Sequence, residues 1–291
     1  MRYEEFRPAE PLAKLIKCIW LMESEPDNSS DVERILPDGC TEIVFNFADP
    51  FYQHNPDGTT ERQPLTLVVG QMLQALLIAP SQRVQLLGVR FWPGGAYPFL
   101  TVPQHEIAGQ VIALDAVWGA ISREIQSRLA DAATSADRVT EVENILLARL
   151  NHFRPHDEEV LKATALIVRT RGRISIGRLA ERMGINSRTL DRRFNNKVGL
   201  SPKALCRVIR FQRIFSLIER DSGPKREGFS SGRGLLEEGA VGAPDWVRLA
   251  LDCGYYDQPH FIKEFKAFAG KEPTAYFAER NIMSDHFTGS A

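Results

Sequence analysis

The stretch SIGRLAERMGINSRTLDRRF (residues 175–194) predicts two short helices that meet at a sharp turn. Ser175 and Asn186 are residue types that cap helix N-termini, and Gly184 permits the turn between the two helices. Leu190 and Phe194 are four residues apart and therefore share one buried face of the second helix. This arrangement is typical of a helix-turn-helix unit, which we expect over residues 175–198.

The same pattern returns in DWVRLALDCGYYDQPHFIKEF (residues 245–265). At offsets of 70 or 71 residues, the key positions Ala180, Gly184, Leu190 and Phe194 correspond to Ala250, Gly254, Phe261 and Phe265. A repeated supersecondary unit is much harder to ascribe to chance than a single one. We therefore expect a second helix-turn-helix unit over residues 245–268.

The segment between the two units divides into two parts. Residues 202–219 carry helical periodicity and predict a linker helix that holds the units at a fixed separation. Residues 221–244 contain six glycines and predict a mobile loop. A fixed separation matters because two recognition helices on one face of DNA enter major-groove segments about 34 Å apart.

The candidate DNA contacts are the residues that the buried positions of each second helix leave facing outward. In the first unit they are Ser187, Arg188, Asp191 and Arg192 for bases, with Arg193 and Lys197 for phosphates or solvent. In the second unit they are Gln258, Pro259, Ile262 and Lys263, a less polar set from which we expect less base readout. Asp191 either accepts from a cytosine amino group or orients Arg188 or Arg192 through an ion pair.

Positive charge is concentrated around the first unit. Residues 165–220 hold 14 basic and three acidic side chains, although the whole chain has a formal net charge of −1. Such a block attracts a polyanion, and a solvated helical face is the alternative interpretation. The charge pattern alone does not decide between them.

Residues from about 160 to 280 resemble the DNA-binding domain of the AraC/XylS family of bacterial transcription regulators. The residues that carry the resemblance are Leu190-x-x-x-Phe194, Gly199-Leu200-Ser201-Pro202, Arg210, Ala250-x-x-x-Gly254-Tyr255, Phe261-x-x-x-Phe265 and Gly270-x-x-Pro273. The resemblance implies a seven-helix, all-α domain, here residues 156–285, that binds DNA through both recognition helices. The glycine-rich stretch is longer than the usual link to the second unit.

Residues 1–155 are predicted to form a separate domain that senses an effector or forms a dimer. Short β-prone runs and two Pro-Asp-Gly turns predict a mainly β barrel or sandwich, cupin-like in one interpretation, over residues 1–113. Helical periodicity follows over residues 114–153. The strings LPDGCTEIVFN (residues 36–46) and GVRFWPGGA (residues 88–96) resemble an uncharacterised domain often found ahead of this DNA-binding domain.

A ligand pocket in this domain is a weaker prediction. Its candidate lining residues are Trp20, Phe45, Phe47, Arg90, Phe91 and Trp92, which combine aromatic surface with one cationic group. Aromatic core packing is the more frequent explanation for such residues. A second alternative is that Arg90 pairs with Glu42 across the sheet.

Enzymatic function finds little support, and we expect neither catalytic residues nor a metal or other cofactor. The sequence HEIAG (residues 105–109) begins like a zinc-protease helix but lacks the second histidine. Cys18, Cys40, Cys206 and Cys253 lack metal or redox spacing, so buried thiols in a cytoplasmic protein are expected. An enzyme or a thiol-sensor domain fused to a DNA-binding module remains the alternative, with Cys40 as the candidate thiol.

The expected partners are double-stranded DNA, a small-molecule effector, RNA polymerase and a second copy of the chain. A homodimer is predicted from the apolar stripe Val117, Ile121, Ile125 and Leu129, which repeats every four residues. The alternative is that the stripe packs on its own β domain. No apolar run approaches the roughly 18–20 residues of a membrane span, so no membrane partner is expected.

Overall fold

The computed structural model describes residues 2–25, 32–151, 158–221 and 245–279. Most of the predicted glycine-rich loop, residues 222–244, lies outside the described residues. The predicted domain boundary at residues 154–157 lies outside them as well. No described helix has the length and apolar character that crossing a membrane requires.

Two antiparallel sheets form the N-terminal half, as predicted. The six-stranded sheet has the order β1-β2-β9-β4-β7-β10, and the four-stranded sheet has the order β3-β8-β5-β6. The strands are β1 Arg2–Phe6, β2 Ile16–Ser24, β3 Glu33–Ile35, β4 Thr41–Asn46, β5 Phe51–His54, β6 Thr60–Arg62, β7 Thr66–Val69, β8 Leu76–Pro80, β9 Val84–Phe91 and β10 Val111–Ala113. The predicted Pro-Asp-Gly turn at residues 56–58 joins β5 to β6, with Gly58 at φ +86°.

Four α-helices follow or interrupt the strands among the described residues of this half. They are α1 Tyr97–Leu100, α2 Asp115–Trp118, α3 Ile121–Asp131 and α4 Ser135–Asn151. Their apolar residues cover one face of the six-stranded sheet, where Phe45 and Phe91 are fully buried. The four-stranded sheet covers the opposite face, so the six-stranded sheet is apolar on both sides.

The apolar stripe expected to hold a dimer lies mostly inside this domain. Ile125 and Leu129 are buried in the same core as the strands, together with Val142 and Leu146 of α4. Only Ile121 is exposed, at 48%. The stripe therefore packs on its own β domain, and it no longer supports a homodimer.

The C-terminal half is all-α, as predicted, with seven helices among the described residues. They are α5 Glu158–Arg169, α6 Ile176–Arg182, α7 Ser187–Lys197, α8 Pro202–Asp221, α9 Trp246–Cys253, α10 Gln258–Ala269 and α11 Pro273–Phe277. Helix α8 contributes to two cores. Leu205 and Ile209 pack with α5, α6 and α7, whereas Phe211 and Phe215 pack with α9, α10 and α11. One continuous helix thus carries both helix-turn-helix units.

The two halves of the chain pack directly against each other. Leu36, from the segment that leads into β4, is buried in the core around α8 and α10. Next to it, Gln212 of α8 donates a buried 2.7 Å hydrogen bond to the Pro37 carbonyl. Gly39 adopts φ +82°, and a Cβ there would lie 3.1 Å from the Leu205 side chain. The segment of residues 34–40, here called the docking segment, therefore requires a small residue at its closest approach to α8.

Candidate nucleic-acid interface and N-terminal cavity

Local capping fixes both candidate recognition helices. The Asn186 side chain accepts a 2.8 Å hydrogen bond from the Thr189 amide at the start of α7, and Asp257 accepts one from His260 at the start of α10. The preceding turns pass through Gly184 at φ +65° and Gly254 at φ +87°. Because each cap satisfies an otherwise unpaired amide, the two helices begin at defined residues.

Helix α7 buries one face and exposes another. Leu190 and Phe194 are 1% and 0% exposed and anchor the helix in the core, as their spacing predicts. Ser187, Arg188 and Arg192 are exposed on the opposite side. Arg188 and Arg192 are four residues apart, so their guanidinium groups share one face of the helix. This face combines long basic side chains with a rigid backbone.

Asp191 is half-buried beside these arginines. Within the described part of the chain it forms no ion pair with Arg188 or Arg192. The alternative in which Asp191 orients an arginine therefore finds no support among these contacts. Its carboxylate remains next to the exposed basic face.

Arg193 and Lys197 line the groove beside Arg188 and Arg192 and also contact neighbouring elements. Arg193 forms an ion pair with Glu159 of α5. The Lys197 ammonium lies 5.4 Å from the centre of the Tyr97 ring, which belongs to the N-terminal half. Both residues were expected to contact phosphates or solvent. In this structure they also tie α7 to its neighbours.

The second unit has the same construction with a less polar surface. Phe261 and Phe265 are fully buried, Pro259 and Lys263 are exposed, and Gln258 is half-buried. Ile262 is half-buried and packs against the core rather than projecting freely. The predicted contact residues of this unit therefore expose little polar surface to DNA.

Three further exposed residues near α10 were missed in the sequence. Tyr256 is 86% exposed in the turn before the helix, and His260 and Lys266 are exposed on the helix itself. Tyr255 corresponds to Ile185, because their amides donate to the equivalent carbonyls of Ala250 and Ala180. Tyr256 is therefore an extra residue in the second turn, and this additional aromatic residue was the signal that could have identified it.

Charged hydrogen bonds hold α10 to the linker helix. Arg207 of α8 donates two hydrogen bonds to the Glu264 carboxylate, at 2.7 and 2.8 Å. Bidentate pairs of this kind fix orientation as well as distance. Arg210 additionally donates to the Gly172 carbonyl at 2.9 Å, which ties α8 to the end of α5. The orientation of both units is therefore set by side chains of α8.

The N-terminal half also reaches the edge of α7. His105 lines an open groove together with Arg188, Arg192 and Asn196 of α7. A Cβ at Gly199, just beyond α7, would lie 2.9 Å from the Gln104 carbonyl oxygen. The N-terminal domain thus flanks the exposed basic face of α7.

A cavity of about 90 Å³ lies between the two sheets of the N-terminal half. The apolar part of its lining includes Trp20, Val44, Leu67 and Ile78. Gly88 of β9 makes room for one wall, because a Cβ there would overlap the Trp20 indole ring. Leu36 and Pro37 of the docking segment also line the cavity, so this segment contacts both the cavity and α8.

A buried ionic cluster occupies one end of the cavity. Arg90, 2% exposed, forms an ion pair with Glu42, its cross-strand partner in the register of β4 and β9. The Arg90 Nε atom also lies 3.6 Å from Asp38 Oδ2. The pKa of the Glu42 carboxyl is raised above its ordinary value, mainly by burial. The nearby Arg90 opposes this shift, and the like charge of Asp38 adds to it. The pairing of Arg90 with Glu42 that the sequence left open is therefore present.

Only part of the predicted pocket lines this cavity. Trp20 and Arg90 do, whereas Phe45, Phe47, Phe91 and Trp92 do not. Phe45 and Phe91 face the helices on the other side of the sheet, because side chains alternate along a strand. Phe47 stacks under the Arg138 guanidinium, and Trp92 lies 5.6 Å from the Lys17 ammonium. For these four residues the predicted pocket role is wrong.

All four cysteines are buried and unpaired with one another. Burial raises the pKa of Cys18 to about 12 and that of Cys253 to about 12. Burial and the neighbouring Asp38 raise the pKa of Cys40 well above its ordinary value. Since the thiolate is the reactive form, these environments disfavour a thiol sensor.

Comparison with known proteins gives one family match, to a domain of unknown function (DUF6597) over residues 4–113. This range contains the last three residues of β1 and the nine strands that follow it. No match is found among curated proteins.

Solved structures of ToxT from Vibrio cholerae share 10% sequence identity with the chain. One aligns over 96% of this chain and 98% of its own, with a TM-score of 0.46. A second, bound to (E)-4-(8-methylnaphthalen-1-yl)but-3-enoic acid, aligns over 96% and 99% with a TM-score of 0.45. A third, bound to an unsaturated fatty acid, aligns over 88% and 93% with a TM-score of 0.42. The molecules in those two structures are bound to ToxT.

Proposed function

We propose that this protein is a sequence-specific, DNA-binding transcription regulator that reads the major groove through α7 and α10. The observation that carries the proposal is the pair of capped helices, each with a buried apolar face, fixed to the single helix α8. Two such helices on one rigid support suit a duplex whose major groove returns every helical turn.

Direct base readout is assigned mainly to α7. Arg188 and Arg192 are exposed near the start of the helix, where helix-turn-helix proteins contact bases. Each arginine that binds guanine through two hydrogen bonds contributes about 1–3 kcal/mol of discrimination. Ser187 and Asp191 flank them and complete the polar set. Arg193 and Lys197 act instead by positioning α7 through Glu159 and Tyr97.

Helix α10 contributes contact area more than base recognition. Gln258, Pro259 and Lys263 offer one amide, one apolar ring and one ammonium group. Tyr256, exposed in the turn, adds a hydroxyl that donates to phosphate oxygens. Phosphate contacts position a protein on DNA without reading its sequence. The second unit therefore fixes the register in which α7 reads the first half of the site.

We further propose that a small molecule in the N-terminal cavity controls DNA binding. The supporting observation is the docking segment, since Leu36 and Pro37 line the cavity and also contact the α8 core. A ligand that moves this segment shifts the support of both recognition helices. The proposed change requires that ligand affinity differ between the two positions of the segment.

RNA polymerase and a second copy of the chain are additional proposed partners, and the proposed compartment is the bacterial cytoplasm. A dimer would have to use a surface other than the stripe buried between α3 and α4. Sedimentation equilibrium on the full chain tests this directly. A monomer at micromolar concentration would remove the dimer from the proposal.

Selection of random or genomic DNA fragments by the purified full chain tests the proposed function. The wild type is compared with the Arg188→Ala/Arg192→Ala double variant and with Arg123→Ala, an exposed arginine of α3. We expect one enriched motif for the wild type and for Arg123→Ala, and none for the double variant. Equal enrichment by all three proteins would contradict readout by α7, and no enrichment by the wild type would contradict sequence-specific binding.

A further inference from the structure

The charged groups at the cavity do not balance. Among the described residues that line it, Arg90 is the one cation, and the carboxylates of Asp38 and Glu42 are the two anions. The positive charge of Lys17 lowers the pKa of Glu42, but Lys17 does not line the cavity, and its ammonium lies 5.6 Å from the centre of the Trp92 ring. The cavity end therefore has a formal excess of one negative charge.

Asp38 holds an unused hydrogen-bond acceptor at this point. Its Oδ1 atom accepts from the Cys40 amide at 2.8 Å, which fixes the orientation of the carboxylate. Its Oδ2 atom is buried and accepts no hydrogen bond within the described chain, and its distance of 3.6 Å from Arg90 Nε exceeds hydrogen-bond length. A buried carboxylate oxygen without a donor is costly unless something else supplies one.

The lining of the rest of the cavity is mainly apolar and favours an apolar part of a ligand. From the charged end, β4 continues through Val44 to Asn46, whose amide group is already occupied by the Asp49 carbonyl and the Ala48 amide. Val44, Leu67 and the Trp20 ring line the space between. The volume of about 90 Å³ is smaller than the roughly 150 Å³ of an engineered cavity that holds benzene. Only a compact molecule is accommodated without movement of the walls.

We propose that the N-terminal cavity binds a small organic cation, a short aliphatic primary amine whose ammonium group contacts Asp38 and Glu42. The ammonium group supplies the missing positive charge and donates to Asp38 Oδ2, while its apolar body lies against Val44, Leu67 and Trp20. This inference names the ligand class for the effector site of the proposed function and rests on that site.

Isothermal titration calorimetry on the full chain tests the inference with three matched probes. Isobutylamine is compared with the neutral isobutanol and with the anion isovalerate. We expect the amine to bind at least tenfold more tightly than the alcohol, and the carboxylate not to bind. Equal binding of amine and alcohol, preference for a carboxylate, or binding of none of the probes would overturn the proposal.

Two variants locate the binding. Asp38→Asn keeps the hydrogen bond to the Cys40 amide but removes the charge, and we expect it to weaken amine binding at least tenfold. Glu61→Gln removes an exposed carboxylate on β6, away from the cavity, and should leave affinity unchanged. If Asp38→Asn fails to fold, Glu42→Gln takes its place. Unchanged amine affinity in the folded cavity variant would refute the assignment of the site.

DNA selection, performed both without ligand and with saturating isobutylamine, separates this inference from the proposed function. If the wild type enriches a motif but binds no amine, the regulator stands and the ligand class is wrong. If it binds the amine through Asp38 but enriches no motif under either condition, the cavity assignment stands and the proposed function is wrong.

Discussion

Truncation of Leu36 tests whether the N-terminal domain is built into the support of the recognition helices. Leu36 belongs to the β domain in sequence, yet it is 4% exposed and packs in the core formed by α8, α9, α10 and α11. Replacing a buried leucine with alanine costs about 2–5 kcal/mol, from lost transfer energy and from the cavity left behind. Because Gly39 brings the docking segment close to α8, we expect the surrounding residues to fill little of the cavity left by Leu36→Ala. We therefore predict that the free energy of unfolding falls by about 3 kcal/mol.

Urea denaturation followed by far-ultraviolet circular dichroism measures this loss. Leu73→Ala is the control, because Leu73 is 39% exposed in the same half of the chain and should lose less than about 1 kcal/mol. Hydrogen exchange shows where in the chain the stability is lost. Protection of the backbone amides of residues 208–218 in α8 should fall in Leu36→Ala. A loss for Leu36→Ala no greater than that for Leu73→Ala, with unchanged protection of α8, would refute the packing of the two halves described above.

Three further perturbations follow from the structure. Arg207→Ala breaks the bidentate pair with Glu264 and should lower the free energy of unfolding by about 1–2 kcal/mol. The control is Arg128→Ala, which removes an ion pair with Glu141 in which the arginine side chain is 52% exposed. This control should lower the free energy of unfolding by less than about 0.5 kcal/mol. Equal losses in urea melts would contradict the positioning role of Arg207. Ellman's reagent should modify none of the four cysteines in the native chain, because burial disfavours their thiolates, and all four in urea; rapid native labelling would revive the thiol-sensor alternative. Burial raises the pKa of Glu42, so the folded chain holds a proton that the unfolded chain releases, and stability should fall as pH rises from the ordinary glutamate range towards the folded pKa. Melting temperatures measured against pH should lack this component in Glu42→Gln, and parallel profiles would contradict it.

Much of the C-terminal half was predictable from the sequence because its signals are local. Gly184 and Asn186 act within a few residues, and the spacing of Leu190 and Phe194 sets the buried face of α7 by helix geometry alone. The partners of Arg193 and Lys197 were not predictable. Glu159 and Tyr97 are distant in sequence, and no periodicity connects them to α7.

The cavity was predicted less well because the six-stranded sheet is covered on both faces. A sheet with one wet face alternates apolar and polar residues, and that alternation identifies the inner side. In β4, Val44 and Phe45 are both buried, so the sequence does not reveal which of them faces the cavity. The cross-strand pair of Arg90 and Glu42 was identifiable as an alternative because opposite charges favour each other in a low-dielectric interior.

The burial of the docking segment could not be predicted from the sequence, for a different reason. LPDG (residues 36–39) is a strong turn signal, and turns usually lie at the surface. Here Leu36 is buried by a domain that begins more than 100 residues later in the chain. Tertiary packing, not local propensity, determines its environment.

The central claim is that α7 reads DNA sequence, and the specificity ratio of the wild type and Arg188→Ala tests it most directly. The dissociation constants for the selected site and for a scrambled duplex are measured by fluorescence anisotropy across a range of salt concentrations. The account predicts that Arg188→Ala loses about tenfold or more of the preference for the selected site, equivalent to the roughly 1–3 kcal/mol of a guanine contact. It should retain salt-sensitive binding to scrambled DNA. An unchanged preference in Arg188→Ala, or a wild type that binds both duplexes equally, would contradict the account.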